Sequence, residues 1–69
     1  MKPQSKDIFV YMRDVGPITG LIALTECRCM RLPARIAEIK EAGIAVKDRW
    51  VTHVNAKGEK KRYKEYWLA

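Results

Sequence analysis

Apolar side chains in the first part of the chain recur with the spacing of an α-helix. Between residues 6 and 15 they occupy positions i, i+3, i+4 and i+7, as Ile8, Tyr11, Met12 and Val15. This spacing predicts a helix over 6–15 with one face in a core, and Ser5 is placed to cap its start. Gly16 and Pro17 predict a turn directly afterwards, because glycine permits a left-handed backbone and proline cannot continue a helix.

A short extended segment and a second helix follow. Proline and the β-branched residues in Pro17-Ile18-Thr19 favour an extended backbone, and Thr19 can cap the next helix. Apolar residues at positions 21, 22 and 24 predict that this short helix runs from Gly20 to Glu26 or Cys27. The pattern therefore places a strand of two or three residues between two helices.

The stretch from Arg28 to Gly43 carries a third helical pattern. Leu32, Ile36 and Ile39 fall at i, i+4 and i+7, Pro33 suits the first turn, and Gly43 suits the position after the end. Only residues 28–30 separate this helix from the second, which is the spacing of a helix-turn-helix. The connector has no glycine, so we expect Cys29 or a neighbour to make the turn in a standard conformation.

Beyond Gly43 the pattern changes to β-branched and aromatic residues. Residues 44–54 and 60–68 are predicted strands, and 55–59 has the composition of a hairpin loop with a positive φ at Gly58. Side chains point alternately to the two faces of a strand, so Trp50, Thr52 and Val54 share one face of the first strand and Val51 and His53 the other. The pattern does not determine which face packs against the core.

The aromatic residues of the two strands have two interpretations. We expect Trp50, with Tyr66 or Trp67, to close the core against the third helix, since a small domain needs large apolar side chains. The alternative is a platform of Tyr63, Tyr66 and Trp67 that stacks on single-stranded nucleic acid.

Length and composition narrow the possible classes of protein. Sixty-nine residues, 48% of them hydrophobic, predict one small folded domain over residues 1–69.

The absence of a long apolar run or signal-peptide pattern predicts an intracellular protein. Cys27, Cys29 and His53 have the wrong number and spacing for a zinc site, so we expect reduced thiols and no metal or cofactor. No catalytic constellation can be assembled, so we do not expect an enzyme.

Charge favours a polyanionic partner. The formal net charge is +6, and nucleic acid is the commonest partner of so basic a small domain. On a helical wheel of the third helix, Arg31, Arg35 and Glu38 share one flank, and small residues such as Ala34 and Ala37 lie opposite the apolar stripe. Basic residues also gather at the hairpin tip, where they could bind phosphates or could only protect an edge strand from aggregation.

Several short motifs add a family resemblance. They are Gly-Pro-Ile-Thr at 16–19, Arg-Leu-Pro-Ala-Arg-Ile at 31–36, the step from Gly43 to Val46, Trp50-Val51-Thr52 and Tyr66-Trp67-Leu68. Through them residues 16–68 resemble the small winged helix-turn-helix domain proteins of phages and other mobile elements. The resemblance implies an α+β fold, with three helices followed by a two-stranded β-hairpin wing, and a role in DNA binding.

We therefore predict sequence-specific binding to double-stranded DNA by a transcriptional regulator of a phage or mobile element, in the cytoplasm and nucleoid of a bacterial host. Arg31, Arg35 and Glu38 should face base edges, and Ala34 should let the helix come close. The predicted phosphate contacts are Arg28, Lys57, Lys60, Lys61 and Arg62. Because one copy offers few base contacts, we expect a homodimer on paired sites. Two alternatives stay open: a recombination directionality factor, and a protein-interaction module that inhibits a host protein.

Overall fold

A computed structural model describes residues 2–69 as three helices and a three-stranded antiparallel sheet. The elements in chain order are α1 (Pro3–Asp14), β1 (Ile18–Thr19), α2 (Gly20–Cys27), α3 (Leu32–Glu41), β2 (Val46–Val54) and β3 (Lys60–Leu68). The strands lie in the order β1-β3-β2, so the hairpin of β2 and β3 is joined along one edge by the short β1. The predicted α+β architecture with a hairpin after three helices is confirmed.

The core lies where the helices meet one end of the sheet. Ile8 of α1, Ile18 of β1 and Ile39 of α3 have no exposed surface, and Tyr66 of β3 closes the cluster. The apolar positions that the helical spacing selects in α3 are all buried. The rest of the hairpin extends past the helices, and the molecule measures 40 Å along its longest axis but only 22 and 20 Å across.

Trp50 lies outside this core, so its predicted core position is wrong. Its side chain is 57% exposed, although it is on the same face of the sheet as the buried Tyr66. The reason is distance along the strand. Trp50 pairs with Lys64, in the part of the hairpin that the helices do not cover.

The first helix begins earlier than predicted. It starts at Pro3, which suits this position because its φ is already helical and it has no N–H to leave unpaired. Ser5 is therefore inside the helix and fully buried, and the prediction that it caps the helix is wrong. Its hydroxyl donates instead to the carboxylate of Glu38 on α3.

A cluster of polar side chains joins the start of α1 to α3. Besides the Ser5 hydroxyl, Glu38 accepts a hydrogen bond from Arg35 Nη1 at 2.6 Å, and Lys2 Nζ lies 3.8 Å away. The Ser5 hydrogen bond is the main cause that lowers the pKa of Glu38; the charges of Arg35 and Lys2 act in the same direction, and partial burial opposes them. We call these four residues the Glu38 cluster.

The turn between α2 and α3 uses a left-handed residue. The Thr19 hydroxyl caps α2 as predicted, accepting from the Ile22 N–H at 3.3 Å, and the helix ends at Cys27. Arg28 then has φ 52° and ψ 35°, which corrects the expectation of a standard conformation. This reversal lets the Cys29 N–H donate to the Ala23 carbonyl at 2.9 Å while the Cys29 side chain enters the core.

The hairpin loop follows its sequence pattern. Asn55 Oδ1 accepts from the backbone N–H of Lys57 at 2.9 Å and of Glu59 at 3.0 Å. Gly58 has φ 80°, as its place in the loop predicts. The strands begin and end close to the predicted positions, except that β2 starts at Val46 rather than 44.

We predict that Arg28→Gly stabilises the protein. A left-handed conformation costs a residue with a Cβ roughly 1–2 kcal/mol, and glycine avoids this cost, so the free energy of unfolding should rise by about 1 kcal/mol and the melting temperature by several degrees. Thermal and urea unfolding measure the effect. Arg31→Gly is the control, because Arg31 has φ −125°; equal stabilisation by both changes would contradict the explanation.

We also predict a pH-dependent effect of Glu38→Gln. A carboxyl whose pKa is lowered by folding stabilises the native state above its ordinary pKa of 4.5, and this contribution is lost as pH falls through the lowered value. The difference in unfolding free energy between the wild-type protein and Glu38→Gln should therefore be largest near neutral pH and shrink below pH 4.5. Glu41→Gln, on the exposed side of α3, is the matched control. A difference that does not change with pH would count against the cluster.

Candidate nucleic-acid interface

The side of α3 that faces away from the core has small side chains in its first two turns, and Lys40 and Glu41 are exposed at its end. Pro33 and Ala37 are exposed and Ala34 is half-buried. Arg31, directly before the helix, is also exposed. Small side chains allow a helix backbone to approach a groove wall closely, so this face is compatible with insertion into the major groove of DNA.

Arg35 and Glu38 turn away from this face, towards α1. Their side chains are only 16% and 28% exposed, and the Arg35 Nε is buried without a hydrogen-bond partner in residues 2–69. Bidentate reading of a guanine requires a guanidinium that can present two donors to the base. The geometry of Arg35 and Glu38 therefore favours a role in holding α3 against α1. Base contacts by these two residues stay a prediction.

Arg28 lies on the α1 flank of α3. Its side chain is exposed, and its carbonyl accepts from Gln4 Nε2 at 3.2 Å. The hairpin lies on the opposite flank, where Pro33 of α3 and Trp50 of β2 line the same groove. The predicted phosphate-binding residues therefore do not form one patch but lie on both sides of α3.

The strand register divides the hairpin cations between two faces. Lys60, Arg62 and Lys64 pair with Val54, Thr52 and Trp50, on the face that carries Tyr66. Lys61 pairs with His53 on the opposite face, and Lys57 is exposed in the loop. Of the predicted hairpin residues, only Lys60 and Arg62 thus share the face that looks towards the helices.

Trp50 lies among these cations, a position for which its sequence pattern predicts no functional role. Arg62 Cζ is 4.8 Å from its ring centroid and Lys64 Nζ is 5.2 Å away, distances at which a cation is attracted to an aromatic ring. Lys64 also lies 3.8 Å from Asp48. The signal that could have found this group is the alternation of the two strands, once the hairpin loop had fixed their register.

An open groove separates the start of α3 from the hairpin. We call it the helix–hairpin groove; its volume is about 410 Å³, and it is lined by Gly20, Leu32, Pro33, Trp50, Tyr63, Lys64 and Tyr66. Its surface is mainly apolar and aromatic, with one lysine. The groove is continuous with the small-residue face of α3 at Pro33.

The cysteines show no feature of a metal site. Within residues 2–69, no group of His, Cys, Asp or Glu side chains is arranged to hold a metal ion. Cys29 is a buried free thiol and Cys27 a half-buried one, and burial raises the pKa of the Cys27 thiol. In the same part of the chain, each helix is too short or too polar to cross a lipid bilayer.

Comparison with known proteins identifies the fold family. A family described as winged helix-turn-helix domain matches residues 3–69, which include every helix and strand of the structure. Neither a curated protein nor a solved structure matches the chain. Because the match extends over almost the whole chain, the protein belongs to the winged helix-turn-helix domain family.

Proposed function

We propose that the protein binds double-stranded DNA in a sequence-specific manner and regulates transcription of a phage or mobile element in the bacterial cytoplasm. The observation that carries this proposal is the exposed face of α3, whose first two turns carry small residues before Lys40 and Glu41 at its end, with cations on both flanks. A helix in the major groove has a phosphate backbone on each side, so this charge arrangement matches duplex DNA.

In the proposed complex, Pro33, Ala34 and Ala37 let α3 enter the major groove. Arg31 is exposed at the start of the helix and is the best placed arginine to reach a guanine edge. The Glu38 cluster keeps the orientation of α3 fixed relative to α1, which reduces the entropy lost when the helix binds.

Phosphate contacts come from the two flanks in this proposal. Arg28 contacts one strand from the α1 side, and Lys57, Lys60, Lys61 and Arg62 are candidates on the hairpin. These contacts add affinity and set the position of the domain without reading sequence. Since the α3 face offers few long polar side chains, we infer that high specificity requires a homodimer or several copies on repeated sites.

The proposed function predicts how the protein binds to a pool of random duplex DNA. The protein should enrich a defined sequence motif, and its affinity should fall steeply as the salt concentration rises, because bound phosphates release counterions. The experiment is selection at two salt concentrations followed by sequencing of the retained DNA.

Two outcomes of the selection would contradict the proposal. Salt-sensitive retention without a motif would show binding that is not sequence-specific. No retention at low salt would remove the DNA proposal and favour a protein partner instead. In that case the exposed Leu21, Leu24 and Met30 around α2 and the following turn would be the surface to test, because contiguous exposed apolar side chains often mark protein interfaces.

Single substitutions should separate base contacts from phosphate contacts. Arg31→Ala should weaken binding to the selected motif by about 1–3 kcal/mol and relax the preference at one base position. Lys60→Ala, on the hairpin face that looks towards the helices, should weaken binding to selected and random DNA alike and reduce the salt slope by roughly one phosphate contact. Titrations of both DNAs at several salt concentrations distinguish the two effects. Equal losses on both DNAs for Arg31→Ala would overturn its assignment as a base contact.

A further inference from the structure

We propose that the helix–hairpin groove binds one unstacked DNA base, with Trp50 as the stacking residue. The site would be used where a duplex opens or ends, so that a base can leave the helical stack next to α3. This inference rests on the proposed function, since it assumes that DNA is the partner. It adds a second type of contact, to a single-stranded nucleotide rather than to paired bases.

Trp50 has no evident role in the core. Tyr66 closes the core from the sheet, and Trp50 is 57% exposed in the part of the hairpin beyond the helices. A large aromatic ring that stays exposed in a chain with so small a core leaves apolar surface in contact with water. Burial of this surface would stabilise the protein. A ligand that covers the ring would recover this contribution.

The groove lining is mainly apolar. Trp50 and Tyr66 contribute aromatic rings, and Leu32 and Pro33 contribute aliphatic surface. The side chain of Tyr63 belongs to the opposite face of the sheet, because Tyr63 pairs with Val51. A phosphate would gain little from such a surface, whereas a base has two flat faces that stack on aromatic side chains. A volume of about 410 Å³ is within the range of small-molecule sites.

Two cations lie beside the Trp50 ring. Lys64 lines the groove beside Trp50, and Arg62 lies over the same ring at 4.8 Å. A base in the groove remains attached to its backbone phosphates, and these two cations are close enough to the ring to neutralise them. Aromatic side chains interleaved with Lys and Arg are typical of surfaces that bind single-stranded nucleic acid.

The competing explanation is that the cations and Trp50 only stabilise the hairpin. Cross-strand pairs of this kind contribute to the stability of many sheets. On this explanation Trp50 should affect hairpin stability but should not distinguish DNA with an unpaired base from intact duplex. The two explanations therefore differ in a measurable property.

The test compares two DNA probes of the same mixed sequence, a blunt duplex and a duplex with a ten-nucleotide single-stranded overhang. We expect the protein to bind the overhang probe about tenfold more tightly than the blunt duplex. A factor of about ten is within the range expected when one base stacks on an aromatic side chain. Trp50→Ala should remove this preference, and Trp50→Phe should keep most of it. In a Trp67→Phe background, the fluorescence of Trp50 should be quenched by the overhang probe and much less by the blunt one.

Val54→Ala is the matched control. Val54 is 54% exposed and lies on the same strand and face as Trp50 but outside the groove lining, so this variant should keep the preference. Circular dichroism and thermal unfolding check that each variant is folded. If Val54→Ala loses the preference as fully as Trp50→Ala, the effect belongs to the hairpin in general and the inference is overturned.

The remaining outcomes separate this inference from the proposed function. Equal affinity for both probes overturns the base site and leaves duplex binding intact. Binding to the overhang probe that depends on Trp50, without binding to blunt duplex, supports the site and overturns the duplex proposal. Absence of binding to both probes at low salt overturns both.

Discussion

The small size of the core is the constraint on which the other features depend. A chain of this length can bury only about 60% of the surface it exposes when unfolded, and here the buried cluster is limited to the junction of the helices with one end of the sheet. Ile8, Ile39 and Tyr66 meet at this junction. Everything farther along the hairpin lies outside it. The fold therefore leaves an aromatic and basic surface free beside α3 because the helices are too short to cover it.

The two flanks of α3 have different electrostatic roles for the same reason. On the α1 flank the polar groups are partly buried, so they must be paired within the protein, and the Glu38 cluster satisfies this requirement. On the hairpin flank the cations are in contact with water, so they do not need to be paired within the protein. They can therefore exchange one charged or aromatic partner for another. Arg35 is partly buried beside Glu38, whereas Arg62 is exposed on the hairpin and can interact with an external anion at little cost.

Local sequence patterns predicted the helices, the strands and the hairpin loop well. They predicted less well which side chains are buried against another element. The helical spacing of Leu32, Ile36 and Ile39 identified α3, the Thr19 cap marked the start of α2, and Gly58 marked the loop, because each depends on neighbours in sequence. The burial of Ser5 and the exposure of Trp50 depend instead on which element lies opposite and how far it extends, and a single sequence does not contain those distances. The left-handed Arg28 was missed because the nearby core position of Cys29, and not the propensity of arginine, determines it.

The elongated shape has a consequence for how copies could be spaced. The longest dimension, 40 Å, exceeds one turn of B-DNA, about 34–36 Å. If that axis follows the DNA axis, two copies on the same face of the duplex cannot occupy sites one turn apart without the hairpin of one reaching the body of the next. The like charges at the hairpin tip, including Lys57 and Lys61, would then meet a basic neighbour. If copies bind side by side on DNA as proposed, repulsion between adjacent molecules disfavours sites one turn apart.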